Sequence, residues 1–275
     1  MDLSARHRVP QGVAIDLHIQ APLAGLFEPD DRFGQVLSAT AAKLQHYDFV
    51  LLQDLHAASL RIKTALAPQT PFATVMGLMQ GEMYNRIEFA HHRLGQLFDA
   101  PPAPVTHPAL NRIRQGLGPA SASHRAHVSV ALGARDQRRH YPHWHLVLAQ
   151  IVKRWPLSSP SPAFTLLGSG NAVDDVAAIG RAGLLDLCDV QVGKTSLTQA
   201  ADLIASSRGF MGADGGLMHL AAALGRPGVG LFGPVPPVFR LLPGSRMKAL
   251  HASSGMDTLA PGAVAQAMLD TLARA

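Results

Sequence analysis

Short apolar runs, many of them rich in β-branched residues, recur along the first two thirds of the chain and again near residue 230. Runs of this length and composition are typical of strands that are buried on both faces of a sheet. They predict buried strands at Val13–Ile19, Phe49–Leu52, Val128–Leu132, Phe164–Leu167 and Val229–Phe232.

Between these runs the apolar residues recur with the period of an amphipathic helix. The predicted helices are Ala39–His46, Ala57–Leu66, Asn85–Phe98, Trp144–Trp155, Val173–Ala182, Leu197–Ser206, Leu217–Leu224 and a terminal helix, Pro261–Arg274. Strand and helix in alternation predict an α/β protein with parallel sheets and helices on both faces. Ligands of such folds bind at the carboxyl ends of the strands.

A proline-rich stretch over residues 100–108 interrupts this alternation near the middle of the chain. Prolines at this density exclude a regular element. A helix-like piece, Ala109–Gly116, follows, and Gly118–His124 has the composition of a linker. We therefore predict two lobes, residues 1–123 and 124–275.

Composition narrows the class of protein. The chain has 275 residues, of which 47% are hydrophobic and 16% charged, and this is too apolar for a disordered chain. A net charge of +5 with only 5% aromatic residues does not indicate nucleic-acid binding. The single cysteine, Cys188, forms no internal disulfide, and we expect it to be a buried hydrophobe. No signal peptide and no apolar run of about 18 residues is present, so we expect a cytoplasmic protein.

The segment over residues 210–234 combines a strand, a glycine turn and a helix. Asp214 can cap the helix that follows, and Gly215 and Gly216 let a ligand approach free backbone N–H groups. His219 lies near the same helix terminus. This arrangement favours a phosphate or diphosphate, although glycine-rich junctions also occur for packing alone.

The same segment resembles the C-terminal signature of glycosyltransferase family 9, the ADP-heptose:lipopolysaccharide heptosyltransferases. The signature reads Asp-[Ser/Thr]-Gly-x-x-His-x-Ala-Ala-Ala-Leu-Gly-x-Pro, followed by a strand and Phe-Gly-Pro. The chain matches it at Asp214, Gly216, His219, Ala221–Leu224, Gly225, Pro227 and Phe232–Pro234. Residues 192–205 are similar to the family's Gly-Lys-Thr-Ser-Leu region, and Arg139 to Pro142 resemble its Lys-x-Trp-Pro loop.

The resemblance implies a GT-B fold, with two Rossmann-like lobes facing across a cleft. It implies inverting, metal-independent transfer of heptose, or a related sugar, from an ADP-sugar to a lipopolysaccharide core or other glycan, without a cofactor. The donor residues that it implies lie in the second lobe: Arg139 at the diphosphate, Thr195 and Ser196 near the nucleotide, and Asp214, Gly215, Gly216 and His219 around the phosphate and sugar. Asn171 is a candidate for the ribose, where the family has Glu.

Two features depart from the family pattern. Gly215 stands where the signature has Ser or Thr, so one hydroxyl donor is lost. The family's first strand–helix unit, whose Gly-Asp loop supplies the expected general base, has no counterpart in the chain. Asp54 and His56, directly after a predicted strand, are candidate substitutes, as are Asp16 and His18; all four could equally be ordinary polar groups.

These departures keep alternatives open. The first is a catalytically impaired protein of the same fold that binds nucleotide sugars or acts as a scaffold. A nicotinamide-dependent enzyme is disfavoured because Gly168-Ser-Gly170 lacks the third glycine of that motif. The spacing of His140, His143 and His145 does not favour a metal. The expected partners are a nucleotide sugar and an anionic glycolipid, with peripheral contact at the inner membrane face and oligomerisation as further expectations.

Overall fold

The computed structural model describes residues 13–28, 30–38, 46–77, 84–101, 103–110, 127–156 and 160–274. The chain divides into two compact units. The first is Met1–Asn111 together with Val238–Leu242, and the second is Arg112–Pro237 together with Pro243–Ala275. The predicted lobe boundary after residue 123 lies outside the described residues and stays a prediction.

The second unit contains a six-stranded sheet in which all pairs are parallel and whose order is β10-β9-β8-β5-β6-β7. The side chains of its central strands are almost completely buried, as continuous apolar runs require. The strands are β5 His127–Ala131, β6 Ala163–Leu167, β7 Cys188–Val190, β8 Gly209–Ala213, β9 Gly228–Phe232 and β10 Met247–His251.

Four helices connect these strands, and a fifth follows β10. They are α4 Trp144–Arg154, α5 Val173–Arg181, α6 Leu197–Ser206, α7 Gly216–Ala223 and α8 Pro261–Ala273. Helix α4 packs against α5 and α8, whereas α6 packs against α7. Because strand order proceeds one way from β5 to β7 and the other way from β8 to β10, right-handed crossovers place these two helix groups on opposite faces of the sheet.

The first unit has two pairs of short parallel strands. β1 Leu17–Ile19 pairs with β2 Val36–Ser38, and β3 Val50–Leu52 pairs with β4 Phe72–Thr74. Three helices accompany them: α1 Ala21–Phe27, α2 Ala57–Leu66 and α3 Arg86–Leu97. Over the described ranges the two pairs form separate two-stranded sheets.

Asn85 ties the segment Val238–Leu242 into the first unit. Its Oδ1 accepts hydrogen bonds from the Ile87 and Glu88 amides and so caps α3. Its Nδ2 donates to the carbonyl oxygens of Val238 and Leu241, at 2.9 and 3.1 Å. One buried amide therefore begins a helix and holds a segment from much later in the chain.

Most predicted elements are confirmed to within a residue or two. The first predicted strand is wrong in length, because only Leu17–Ile19 of Val13–Ile19 is strand. Ala109 is not helical, and nearly all of the two predicted helical pieces at 39–46 and 109–116 lies outside the described residues. Cys188 begins a strand and is half-buried, and burial raises the pKa of its thiol to about 11.

Candidate active site

The strand order of the second unit reverses between β5 and β8. The chain leaves β5 toward one face of the sheet and leaves β8 toward the other, so the loops after these two neighbouring strands diverge and open a crevice. The loop after β5 carries Arg139, and the turn after β8 carries Asp214. The two regions that the sequence analysis singled out therefore meet at the position where open α/β sheets bind ligands.

The turn after β8 leads directly into α7. The N-cap of α7 is Gly215, in an extended conformation with φ −173°, and the helix begins at Gly216. The prediction that Asp214 caps this helix is wrong, because the helix begins one residue too late for Asp214 to occupy the cap. Gly215 has no side chain to bind the first-turn amides, so these N–H groups are available to an anion.

Asp214 instead joins a cluster of charged groups. Its side chain is only 4% exposed, and Arg139 Nη1 lies 3.4 Å from its Oδ2. His219, one turn into α7, places Nε2 3.2 Å from the other carboxylate oxygen, Oδ1. The structure thus brings together Arg139, Asp214 and His219 beside the helix terminus formed by Gly215 and Gly216.

The arginine loop, residues 133–142, joins β5 to α4. Within it, Asp136 accepts hydrogen bonds from the side chain and amide of Arg138, and these bonds lower the pKa of the Asp136 carboxyl. Arg139 lies at the end of a short 3₁₀ helix, Gln137–Arg139. Tyr141, with 1% exposure, donates its hydroxyl to the Leu259 carbonyl at 2.9 Å.

Asp175 is a buried carboxylate that the sequence analysis did not single out as a site residue. It lies in the first turn of α5, and its side chain is 6% exposed. Its Oδ2 accepts a hydrogen bond from the Gly133 amide at 2.9 Å, and His140 Nε2 lies 3.1 Å from its Oδ1. Asp175 therefore contacts both ends of the arginine loop.

The other predicted donor residues lie at neighbouring strand ends. Ser196 follows β7 and caps α6: its hydroxyl accepts from the Gln199 amide, while the Gln199 side chain accepts from the Ser196 amide. Thr195 beside it is half-buried. Asn171 follows β6, and its Oδ1 accepts from the Ser169 hydroxyl at 2.7 Å. The roles of these three residues toward a nucleotide stay predictions.

The candidate bases are in the first unit. Asp54 Oδ1 accepts hydrogen bonds from the Ser59 hydroxyl at 2.8 Å and from the His56 amide, and the His56 side chain is exposed. Asp54 thus holds the start of α2, which is a structural task, and its predicted role as a base is untested.

A second polar cluster in the first unit joins Asp16, His18 and Tyr47. Tyr47 donates its hydroxyl to Asp16 Oδ2 at 3.2 Å, and His18 Nε2 lies 2.8 Å from the same hydroxyl. Burial lowers the pKa of His18 and, with the Asp16 charge beside it, raises the pKa of Tyr47 to about 12. These shifts favour the uncharged forms of the imidazole and the phenol.

A pocket of about 380 Å³ lies at the carboxyl edge of the sheet, between the arginine loop and the loops that follow β9 and β10. Its lining combines polar groups with prolines and a methionine: Gln137, Arg138, His140, Pro142, Pro234, Ser253, Ser254, Gly255, Met256 and Asp257.

Over the described ranges, no three His, Cys, Asp or Glu side chains converge as metal ligands. No described helix has the length and apolarity needed to cross a bilayer.

Comparison with known proteins identifies the family. Residues 106–255 match the family model described as glycosyltransferase family 9 (heptosyltransferase), and this is more than half of the chain. The chain belongs to glycosyltransferase family 9. The family match contains Arg139, Asp214 and His219, and the prediction of the family is confirmed.

Curated relatives match this family 9 chain over part of their length. Lipooligosaccharide heptosyltransferase 2 of Haemophilus influenzae is 35% identical over 105 residues, which cover 37% of this chain and 29% of the relative. Lipopolysaccharide heptosyltransferase 2 of Escherichia coli is 30% identical over 149 residues, which cover 53% of this chain and 42% of the relative. The matched part spans less than half the length of these relatives.

Solved structures match the chain more completely. The Escherichia coli ADP-heptose LPS heptosyltransferase II has a TM-score of 0.72 at 18% identity, covering 96% of this chain and 91% of that one. The Escherichia coli heptosyltransferase WaaC with ADP has a TM-score of 0.71 at 16% identity, covering 93% and 89%. These similarities show the fold, and the predicted GT-B class of α/β protein is confirmed.

Proposed function

We propose that this family 9 protein is a glycosyltransferase that moves a heptose or a related sugar from an ADP-sugar to a lipopolysaccharide core or another glycan. The observation that carries the proposal is the cluster of Arg139, Asp214 and His219 beside the uncapped N-terminus of α7. The same region contains the family match. The structure of a related heptosyltransferase has been solved with ADP, which supports a nucleotide diphosphate as the ligand.

The chemistry of the transfer explains why such a cluster is useful. The acceptor hydroxyl oxygen attacks the anomeric carbon with inversion while a general base takes its proton, and the bond to the diphosphate breaks with its electron pair leaving on ADP. Negative charge therefore grows on the diphosphate, where a cation and helix N-terminal amides stabilise it without a metal ion. We infer that Arg139 and the amides of Gly215 and Gly216 serve the diphosphate, with Asp214 and His219 binding the sugar.

Arg139 forms an ion pair with Asp214, at 3.4 Å. The Arg guanidinium binds phosphate with two parallel hydrogen bonds, and a doubly charged diphosphate offers more acceptor oxygens than one carboxylate. We infer that donor binding turns Arg139 from Asp214 toward the diphosphate. The released Asp214 carboxylate then becomes an acceptor for sugar hydroxyl groups.

Calorimetric titration of the full chain with ADP, ADP-heptose and UDP tests the donor. We expect Arg139→Ala to weaken ADP binding about tenfold to a hundredfold, because about 1.5–3 kcal/mol of charge-assisted hydrogen bonding is lost. Arg135→Ala removes the same charge from an exposed position in the same loop and is the matched control. The proposal is wrong if neither ADP nor ADP-heptose binds, or if the two variants weaken binding equally.

Turnover is a separate question, and the alternative function is nucleotide-sugar binding without catalysis. Gly215 lacks the hydroxyl of the family signature, and the Asp54 carboxylate already accepts two hydrogen bonds in its own unit. The decisive assay mixes the protein with ADP-heptose and a heptose-deficient lipopolysaccharide, and detects the product by mass spectrometry. If product forms and either Asp54→Asn or His56→Gln abolishes it, that residue is identified as the base. If the protein binds ADP-heptose but forms no product, the alternative function is favoured.

The acceptor determines the place of action. A lipopolysaccharide precursor is an anionic glycolipid, and the net charge of +5 suits contact with an anionic surface. We therefore propose that the reaction takes place at the inner face of the inner membrane. Flotation with anionic vesicles measures this contact, which we expect to weaken as salt is raised.

A further inference from the structure

We propose that Asp175 is a positioning residue that holds the arginine loop in the shape that presents Arg139 to the donor diphosphate. This inference rests on the proposed function, since it assumes that Arg139 binds that group. Its physical basis is one buried carboxylate that contacts both ends of the loop.

The first contact fixes the start of the loop. The Gly133 amide donates to Asp175 Oδ2 at 2.9 Å. Gly133 has a φ of +70°, and a Cβ at this position would lie 2.8 Å from Asn171 Oδ1. Only glycine combines that backbone conformation with so close an approach. The loop therefore leaves β5 in a single direction, set by the N-terminal part of α5.

The second contact fixes the end of the loop, one residue after Arg139. His140 Nε2 lies 3.1 and 3.2 Å from the two oxygens of Asp175. Between the two contacts lies the 3₁₀ helix Gln137–Arg139. The Arg139 amide donates to the Asp136 backbone carbonyl, and the His140 amide donates to the Gln137 backbone carbonyl. With both ends and the turn held, the backbone of Arg139 has little freedom left.

The placement of Asp175 makes these contacts strong. Asp175 lies in the first turn of a helix, where the positive end of the helix dipole favours a carboxylate, and its side chain is only 6% exposed. Hydrogen bonds to a buried charge are stronger than those between neutral groups. Asp175 lies outside the family signature over residues 210–234. Its partners, Gly133 and His140, precede it by 42 and 35 positions in the chain.

A double-mutant cycle tests the inference on ADP binding by the full chain. We expect Asp175→Ala to weaken binding about tenfold, and Arg139→Ala to weaken it at least as much. If Asp175 acts through Arg139, the double variant binds ADP about as weakly as Arg139→Ala alone. Asp175→Asn, which keeps an acceptor for the Gly133 amide, is expected to recover part of the loss.

The matched control is Asp270→Ala, which removes a carboxylate from α8 that pairs with Lys248 in the same unit. It is expected to bind ADP like the unmodified protein. The inference is overturned if the losses of ADP affinity in the two single variants multiply in the double variant. It is also overturned if Asp175→Ala binds ADP with unchanged affinity. If Asp175→Ala does not fold, His140→Ala removes one of the two contacts from a partly exposed side chain and must weaken ADP binding in its place.

Trypsin provides a measurement that does not depend on any ligand. Arg135 and Arg138 are exposed in the arginine loop, and Arg181 is exposed at the end of α5. We expect Asp175→Ala to speed cleavage after Arg135 and Arg138 severalfold, with little change after Arg181. If Asp175→Ala leaves the rate of cleavage in the loop unchanged, the inference is contradicted. If Asp175→Ala speeds loop cleavage but the unmodified protein does not bind ADP, only the proposed function is contradicted.

Discussion

Replacement of Tyr141 by Phe changes a single hydroxyl at the end of the arginine loop. The ring is 1% exposed, and it packs edge-on against Trp144 with ring centroids 5.1 Å apart. The ring contacts survive the change, but the hydrogen bond to the Leu259 carbonyl is lost. Because one neutral hydrogen bond is removed, we expect a loss of about 1 kcal/mol in the free energy of unfolding at neutral pH.

The same residue predicts a change with pH. Burial raises the pKa of Tyr141 to about 12, from an ordinary value near 10. Because the folded protein holds this proton more tightly than the unfolded chain, Tyr141 stabilises the fold below pH 10 and loses that contribution as the pH rises toward 12. By pH 11 this effect lowers the free energy of unfolding of the unmodified protein by about 1.4 kcal/mol. The unmodified protein should therefore no longer be more stable than Tyr141→Phe at that pH.

The assay is urea unfolding followed by tryptophan fluorescence. Both tryptophans, Trp144 and Trp155, lie in the second unit and report its unfolding. Other groups that titrate at alkaline pH are common to the two proteins and cancel in the difference between them. A difference that stays constant from pH 7 to pH 11 would show that the hydroxyl ionises as in the unfolded chain, and the reasoning from burial would be refuted.

Two further substitutions test the packing of each unit. Gly228→Ala puts a Cβ 2.5 Å from the Phe210 carbonyl oxygen of the neighbouring strand, and we expect it to destabilise the second unit by about 1–3 kcal/mol; an unchanged fluorescence transition would contradict this. Asn85→Ala removes the α3 cap and the hydrogen bonds to Val238 and Leu241, and about 2–3 kcal/mol of local stability should be lost. Faster amide exchange confined to α3 and Val238–Leu242 is the expected measurement.

The sequence predicts the second unit well because its local signals agree. The strand Gly228–Phe232 is a continuous apolar run, and Leu197–Ser206 has the predicted bounds because Ser196 and Gln199 form a capping box. The strands Val36–Ser38 and Phe72–Thr74 are missed because three residues carry no periodicity. Met247–His251 is missed because it is an edge strand with exposed positions.

The site is predictable only as far as its signals are local. Asp214 and His219 belong to one contiguous motif, so the sequence finds both, although it places the helix start one residue late, at Leu217 instead of Gly216. Arg139 is found through its resemblance to the family loop. Asp175 carries no local signal because its partners are Gly133 and His140, and only the folded sheet brings α5 beside the loop after β5.

The return of Val238–Leu242 to the first unit has a consequence for how the protein is made. Asn85 finds its carbonyl partners 153 and 156 positions later in the chain. A ribosome must therefore synthesise most of the protein before the first unit can acquire its last segment, and loop closure over that distance is slow. Translation order and folding order differ here: the N-terminal unit emerges first and is completed late, so a fragment ending at the central linker would leave Asn85 without these partners.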